Sequence, residues 1–326
     1  MIKIKQKQTG KRLDVFLLEY LENRGENTFS RNFLTNNWDN LIKVNEKYLK
    51  QSYKLKEGDE VEVDIEKLEE LRVGMKRSSK IEAQKGDLEV LFENEDFLIV
   101  EKPKGLVVHP GVRNMENTLA NYVRGYLEDK EEFDNAVSRA GIVHRLDKGV
   151  SGLIVFAKNV VMQKHLKEQF ENHQVKKVYL ADIEYKELRG GIKKCFLEKD
   201  KDIAEEISKL EANDFECDNS WFKAQGYVAR SSRNRVKMQF RKYLGRTGKR
   251  ALSYVKPISK EQVLVVIKTG RMHQIRATLE HFGIGIKGDT LYGLSKSSTM
   301  PDKIALKAVL LGFKELNGDD FTIIKY

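Results

Sequence analysis

Residues 141–158, GIVHRLDKGVSGLIVFAK, constrain the fold of this chain more than any other stretch. A polar turn holding His144, Arg145, Asp147 and Lys148 runs without a break into the apolar block 153–157, which reads as a buried strand. A side chain at the lip of a core strand is held more rigidly than one on a free loop. Gly149 and Gly152 also admit backbone angles or close approaches that a Cβ resists. Asp147 is therefore the residue to watch. By local composition alone the turn reads first as solvated, with Asp147 making an Asx-type hydrogen bond and the cations facing water.

The rest of the composition narrows the class. At 326 residues the chain can bury one large core and a small one beside it. Hydrophobic residues at 40% and charged residues at 33% describe a globular chain rather than a disordered one. Fifty-nine basic against 49 acidic residues give +10, which suits a polyanionic partner such as nucleic acid. Cys195 and Cys217 lack C-x-x-C spacing and indicate neither a disulfide framework nor a zinc site. The N-terminus has no apolar signal region, and no run approaches the ~18 apolar residues of a membrane span, so a cytoplasmic location with no membrane partner is expected.

Taken in order, residues 10–65 read as a small module. It has an apolar helical face at 15–21, a second helix that Ser30 can cap, and strands at 41–45 and 59–65. Residues 66–85, rich in Glu, Lys, Arg and Ser, read as a tether. The expected bounds are a small domain at 1–68, a linker at 69–86 and a large domain at 87–326. Strands at 88–92 and 97–101 form a hairpin, a helix opens at 117, and Asn159 caps a helix striped by Met162, Leu166 and Phe170. Residues 178–183 alternate as a strand, so Tyr179 shares a face with Ala181 and Ile183. From 186 to 219 the chain is charged and reads as a surface excursion, partly helical between Ile203 and Leu210. Strands at 232–240 and 248–255 read as a pair, and a buried strand at 263–267 leads into a basic helix at 272–279.

HRLDKGVSGL resembles the signature H-R-L-D-[KR]-x-x-S-G of the RluA-like pseudouridine synthases, and the family's catalytic aspartate falls on Asp147. Gly149 and Val150 stand where an acidic residue and threonine are usual. Residues 101–111 resemble the segment NKPxGLxVHPG, with Glu101 replacing asparagine and His109 taken as structural. Lys177, Tyr179 and Ala181 match KxYxA. TGRMHQIRATL, followed by Gly283, Gly288, Asp289 and Tyr292, resembles the third segment, with Arg276 on its active-site arginine. The N-terminal module, with RLDVFL, IKVN and LKEGDEVEV, resembles the RNA-binding domain first described in a small-subunit ribosomal protein.

The resemblance implies an α+β fold: a catalytic domain with a central mixed, mostly antiparallel sheet flanked by helices, plus a small N-terminal α/β RNA-binding domain. It implies isomerisation of uridine to pseudouridine in structured RNA, ribosomal RNA favoured and transfer RNA open, with no cofactor, no metal and no obligatory protein partner. The implied catalytic residues are Asp147, Tyr179 and Arg276. Arg145, Ile275, His144 and Arg271 would bind the RNA substrate, Arg145 by filling the gap that the everted nucleotide leaves. Lys11, Arg12, Arg31 and Asn32 would contact phosphates. A non-catalytic RNA-binding or ribosome-assembly factor is the alternative on the same fold. A metal-dependent hydrolase built on His144, Asp147 and His273 lacks paired-ligand spacing.

Overall fold

Leu13, Phe16, Leu17 and Leu21 recur at helical spacing, and all four are buried together with Ile42, Val44, Leu55 and Val61. That cluster is the core of the first of two units, Met1–Lys80 and Ile81–Tyr326, in this computed structural model. The structure describes residues 1–24, 29, 31–39, 41–78, 81–111, 114–197, 201–212, 220–245, 247–294 and 303–325. In the first unit, β1 (Ile2–Lys3), α1 (Leu13–Asn23), α2 (Arg31–Asn36), β2 (Ile42–Val44), β3 (Lys47–Tyr48), β4 (Glu60–Val63) and α3 (Ile65–Ser78) follow one another. The four strands form an antiparallel sheet in the order β1-β4-β2-β3. Ser30, expected to cap the second helix, lies outside the described residues, as do the side chain of Asn32 and Cys217.

Asp14 is the polar centre of this unit. Its side chain is 3% exposed and takes Arg12 at 2.9 Å and Arg31 at 2.7 Å. Hydrogen bonding to Arg12, with help from Arg31 and against the pull of burial, lowers its pKa to about 2. An acid depressed in the folded state contributes stability that is present above its unfolded pKa and lost as pH falls through the folded one. The arginines are half exposed, which screens the pairs, so about 1 kcal/mol is expected to disappear between pH 4 and 2. Urea melts of a Trp221→Phe chain, read through buried Trp38, should show that loss, and Asp14→Asn should flatten it.

The expected tether at 69–86 is corrected on both sides. Ile65 and Leu68 lie one turn apart and pack on the N-terminal core, where Leu68 is wholly buried, and the backbone of 65–78 is helical, so this stretch is α3. Residues 81–86 instead belong to the second unit. Ile81 is buried against Ala120 and Ala140, Asn121 donates to the Glu82 carbonyl at 2.7 Å, and the Gln84 amide donates to that of Asn121. Residue 81, rather than 87, opens the large unit.

In that unit, chain order runs β5 (Glu89–Glu93), β6 (Phe97–Lys102), α4 (Leu119–Asp129), β7 (Ser151–Ala157), α5 (Val160–Glu171), β8 (Lys176–Tyr185), α6 (Ile203–Ala212), β9 (Phe222–Arg230) and β10 (Met238–Arg241). Then come β11 (Lys249–Pro257), β12 (Gln262–Ile267), α7 (Gln274–His281), β13 (Ile284–Ile286), β14 (Leu306–Lys314) and β15 (Asp320–Ile324). An 11-stranded sheet runs β10-β9-β11-β12-β8-β14-β7-β6-β5, with β13 paired to β8 and β15 to β14. Its pairs are antiparallel except β14 with β7, so the sheet is mixed and mostly antiparallel, as expected. The Asn159 side chain accepts from the Met162 amide and caps α5.

Two readings change here. The stretches at 232–240 and 248–255 do not pair with each other; only 238–240 of the first lies in a strand, β10, and β9 stands between β10 and β11. Its sequence FKAQGYVAR hides the alternation behind small inward residues, Ala224 and Gly226. The 186–219 stretch is also more than a surface excursion. Ile207 and Leu210 of α6 are buried with Val178, Leu264, Val266 and Leu310, so the helix covers one face of the central strands. Among the described residues no helix is long and apolar enough to cross a membrane.

Candidate active site

β7 is buried along its whole length, and burying Leu153, Ile154, Val155 and Phe156 contributes roughly 1.5–3 kcal/mol each. The polar turn is therefore anchored to a strand buried in the core of the sheet. Gly152 has φ +113°, and a Cβ there would lie 2.2 Å from the Ala308 carbonyl oxygen, so only glycine lets β14 run beside β7 at this point. The Val150 amide donates to the Asp147 carbonyl at 3.0 Å and closes the turn; the Val150 side chain enters the core, and the Gly149 carbonyl accepts from Ile304. The two departures from the commonest turn sequence thus leave a closed turn.

Lys102 pins the turn from the other side. Its ammonium is wholly buried and donates to the carbonyls of Pro103, Leu106 and Lys148 at 2.8, 2.8 and 3.1 Å. Burial brings its pKa down to about 8, against the opposing pull of Asp147. The Gly105 amide donates to the Lys148 carbonyl as well. The 102–106 segment and the Asp147 turn are thereby one rigid piece.

Asp147 opens into a cavity of about 610 Å³ whose wall includes Arg145, Tyr179, Arg271, Ile275 and Arg276. Its side chain is 25% exposed, and Oδ2 accepts from Arg276 at 2.9 Å. Arg276, 8% exposed, turns the rest of its guanidinium to Asp289, donating from Nε at 2.7 Å and from the second terminal nitrogen at 2.9 Å. Asp289 is wholly buried and also accepts from the Leu291 and Tyr292 amides. Burial opposes the Arg276 charge, but Asp289 and Asp147 outweigh it and raise its pKa, so the guanidinium stays charged. Tyr292 lies against its face, 4.7 Å from ring centroid to guanidinium carbon.

Tyr179 is 8% exposed on β8, and burial together with the Asp147 charge pushes its pKa up, which keeps it a phenol in the free protein. Ile275 is buried in the main core and lines the cavity. Arg145 is exposed at the cavity wall. Arg271 donates from Nε to the Arg250 carbonyl. His144 also touches the cavity, but its Nε2 accepts from the Val155 amide at 3.0 Å and its ring stacks on Phe170. Burial, reinforced by Lys177, lowers its pKa to about 3, so it is neutral and ties the turn to β7. His109 has a buried Nδ1 with no partner among the described residues.

The site brings Asp147, Tyr179, Arg276, Arg145, Ile275, His144 and Arg271 to one cavity. The sequence assigns no role to Asp289 or Lys102, and offers His273 only as a ligand in the metal-hydrolase reading. His273 has φ +53°, shares a 2.9 Å hydrogen bond between Nδ1 and the Tyr292 hydroxyl, and places Nε2 3.7 Å from Asp147. Burial lowers its pKa against the pull of Asp147. The left-handed backbone at a helix N-cap was not visible in the sequence. Among the described residues no three His, Cys, Asp or Glu side chains gather around a metal-sized space. In the first unit, Lys11 pairs with Glu19 at 2.6 Å, while Arg12 and Arg31 converge on Asp14.

A sequence profile described as RNA pseudouridylate synthase matches residues 96–281, the span from β6 to α7 that carries Asp147, Tyr179 and Arg276. An uncharacterized RNA pseudouridine synthase of Chlorobaculum parvum is 30% identical over 299 residues, covering 90% of this chain and 79% of its own. A ribosomal large subunit pseudouridine synthase D of Zymomonas mobilis is 32% identical over 274 residues, covering 80% and 73%. Among solved structures, human RNA pseudouridylate synthase domain containing 1 shares the fold, with TM-score 0.51 and 20% identity over 74% of this chain and 86% of that one.

Proposed function

The chain belongs to the RNA pseudouridylate synthase family, and from that premise we propose that it converts specific uridines of large-subunit ribosomal RNA with Asp147 as the catalytic carboxylate. The observation that carries the assignment is the buried Arg276, which bridges Asp289 and Asp147 and presents the second carboxylate to the cavity. The bond from C1′ to N1 breaks, the uracil turns, C5 joins C1′, and the C5 proton leaves while N1 gains one. The sum is an isomerisation. Asp147 serves either as a nucleophile on the sugar or as a base removing a sugar proton.

Tyr179 stacks on the uracil. It then assists removal of the C5 proton, a step that follows formation of the C5–C1′ bond, when Asp147 has already left the sugar. Ile275 supplies an apolar floor, and Arg145 fills the gap that the everted nucleotide leaves in the RNA. Lys11, Arg12, Arg31 and Asn32 meet phosphates of the structured RNA, the arginines held side by side by Asp14. The ribosomal target is supported by relatives such as those of Zymomonas mobilis and Xylella fastidiosa, both named ribosomal large subunit pseudouridine synthase D.

Because C5 loses its hydrogen, RNA carrying tritium at uracil C5 reports the reaction directly. The protein is expected to release tritium from unmodified large-subunit ribosomal RNA and to leave a transfer RNA pool untouched. Release from transfer RNA alone would contradict the ribosomal assignment.

A further inference from the structure

Lys177 stands on β8 two residues before Tyr179, so both side chains leave the same face of the strand and both line the Asp147 cavity. It is 6% exposed. Among the described residues its ammonium has no hydrogen-bond or ion-pair partner; it lies 5.4 Å from the centroid of the Phe170 ring, a contact that does not neutralise it. The carboxylates on the cavity wall do not serve it either. Asp147 is committed to Arg276, and Glu171 is exposed. The charges that act on Lys177 are two further cations, Lys268 and Arg271, and with burial as the largest cause they bring its pKa down to about 8. At neutral pH it is still mostly charged.

Burying a cation next to other cations is unfavourable unless an anion joins them. Lys102 shows the alternative elsewhere in this unit, since three carbonyls surround its ammonium. Lys177 has no such cage. One pleat repeat along β8, roughly 7 Å, separates it from the ring that faces the uracil, a spacing on the scale of a base and its own backbone phosphate. Arg271 lines the same wall and makes its Nε bond to a carbonyl, leaving the guanidinium without a carboxylate among the described residues.

We infer that Lys177, with Arg271 beside it, forms an anion subsite inside the cavity that grips a backbone phosphate adjoining the everted uridine. The inference rests on the pseudouridine synthase reading. Lys177 is on this account a substrate-binding residue, acting on affinity and placement rather than on the bond-making step.

The test uses the full chain and the ribosomal RNA fragment that the wild-type protein converts, with Asp147→Asn as the control for the reaction itself. Lys177→Met is expected to raise KM about tenfold with kcat within about twofold, and to reduce the slope of log(kcat/KM) against log salt by about one ion. Lys177→Arg is expected to restore most of both. A single neutral methylphosphonate, scanned through the linkages around the target, should weaken the wild-type protein at one position and leave Lys177→Met unaffected there. Free Lys177→Met should melt at or above wild type, because a cation confined in the cavity beside other cations has gone. An unchanged KM and salt slope, or a melting temperature well below wild type, would overturn the subsite. Failure of wild type to convert any RNA would instead strike the reading beneath it.

Discussion

Asp147→Asn is expected to abolish tritium release, by a factor on the order of 10⁴ or more, while RNA affinity stays within about twofold and the fold is kept. Asparagine matches the shape of the side chain, and its carbonyl can still accept from Arg276 at the 2.9 Å contact. It is neither a nucleophile toward the sugar nor a base. Stability should hold because Arg276 has a second, fully buried partner in Asp289, and because the Asp147 side chain, at 25% exposed, is partly solvated already. Filter binding and thermal melts on the same preparation separate loss of chemistry from loss of fold. Turnover near wild type would remove the assignment.

Asp289→Ala is expected to have the largest effect on stability. It strips two charge-assisted hydrogen bonds from a guanidinium that is 8% exposed and leaves the Leu291 and Tyr292 amides without their acceptor. Breaking a buried ion pair from one side costs about 3–5 kcal/mol, since the remaining charge stays out of water. Adding Arg276→Met should return part of that loss by removing the orphaned cation, so the pair should be strongly non-additive in urea unfolding. Activity should fall in every variant, because Arg276 then no longer holds Asp147 in one orientation. An effect under 1 kcal/mol for Asp289→Ala would mean that the cluster is looser than its distances state.

What could be read in the sequence follows from how local each signal is. β7 announces itself through continuous apolar residues, and the cap at Asn159 through a polar residue before an apolar stripe. Tyr179 could be placed on an inward face by alternation alone. The contact between Asp147 and Arg276, 129 residues apart, could not; only the resemblance of two segments brought them together. Lys102 and Lys177 stayed hidden because a lysine at the end of a strand ordinarily reaches water, and nothing local says that carbonyls enclose one while the other faces a cavity. Asp289 lay inside a segment that was noticed, yet its role depends on the fold returning it beneath Arg276. α3 was mistaken for a tether because its charged residues masked a seam only a few residues wide. α6 is masked for the same reason, two buried apolar positions, Ile207 and Leu210, among acidic and basic neighbours.

The measurement that bears most directly on the central claim is position-resolved pseudouridine mapping of large-subunit ribosomal RNA. It compares cells lacking the gene with the same cells carrying either the wild-type or the Asp147→Asn form. The account predicts that one or a few uridines lose their modification in the deletion, regain it with the wild-type protein and stay unmodified with the variant. A map unchanged by the deletion, or restored equally by Asp147→Asn, would contradict it.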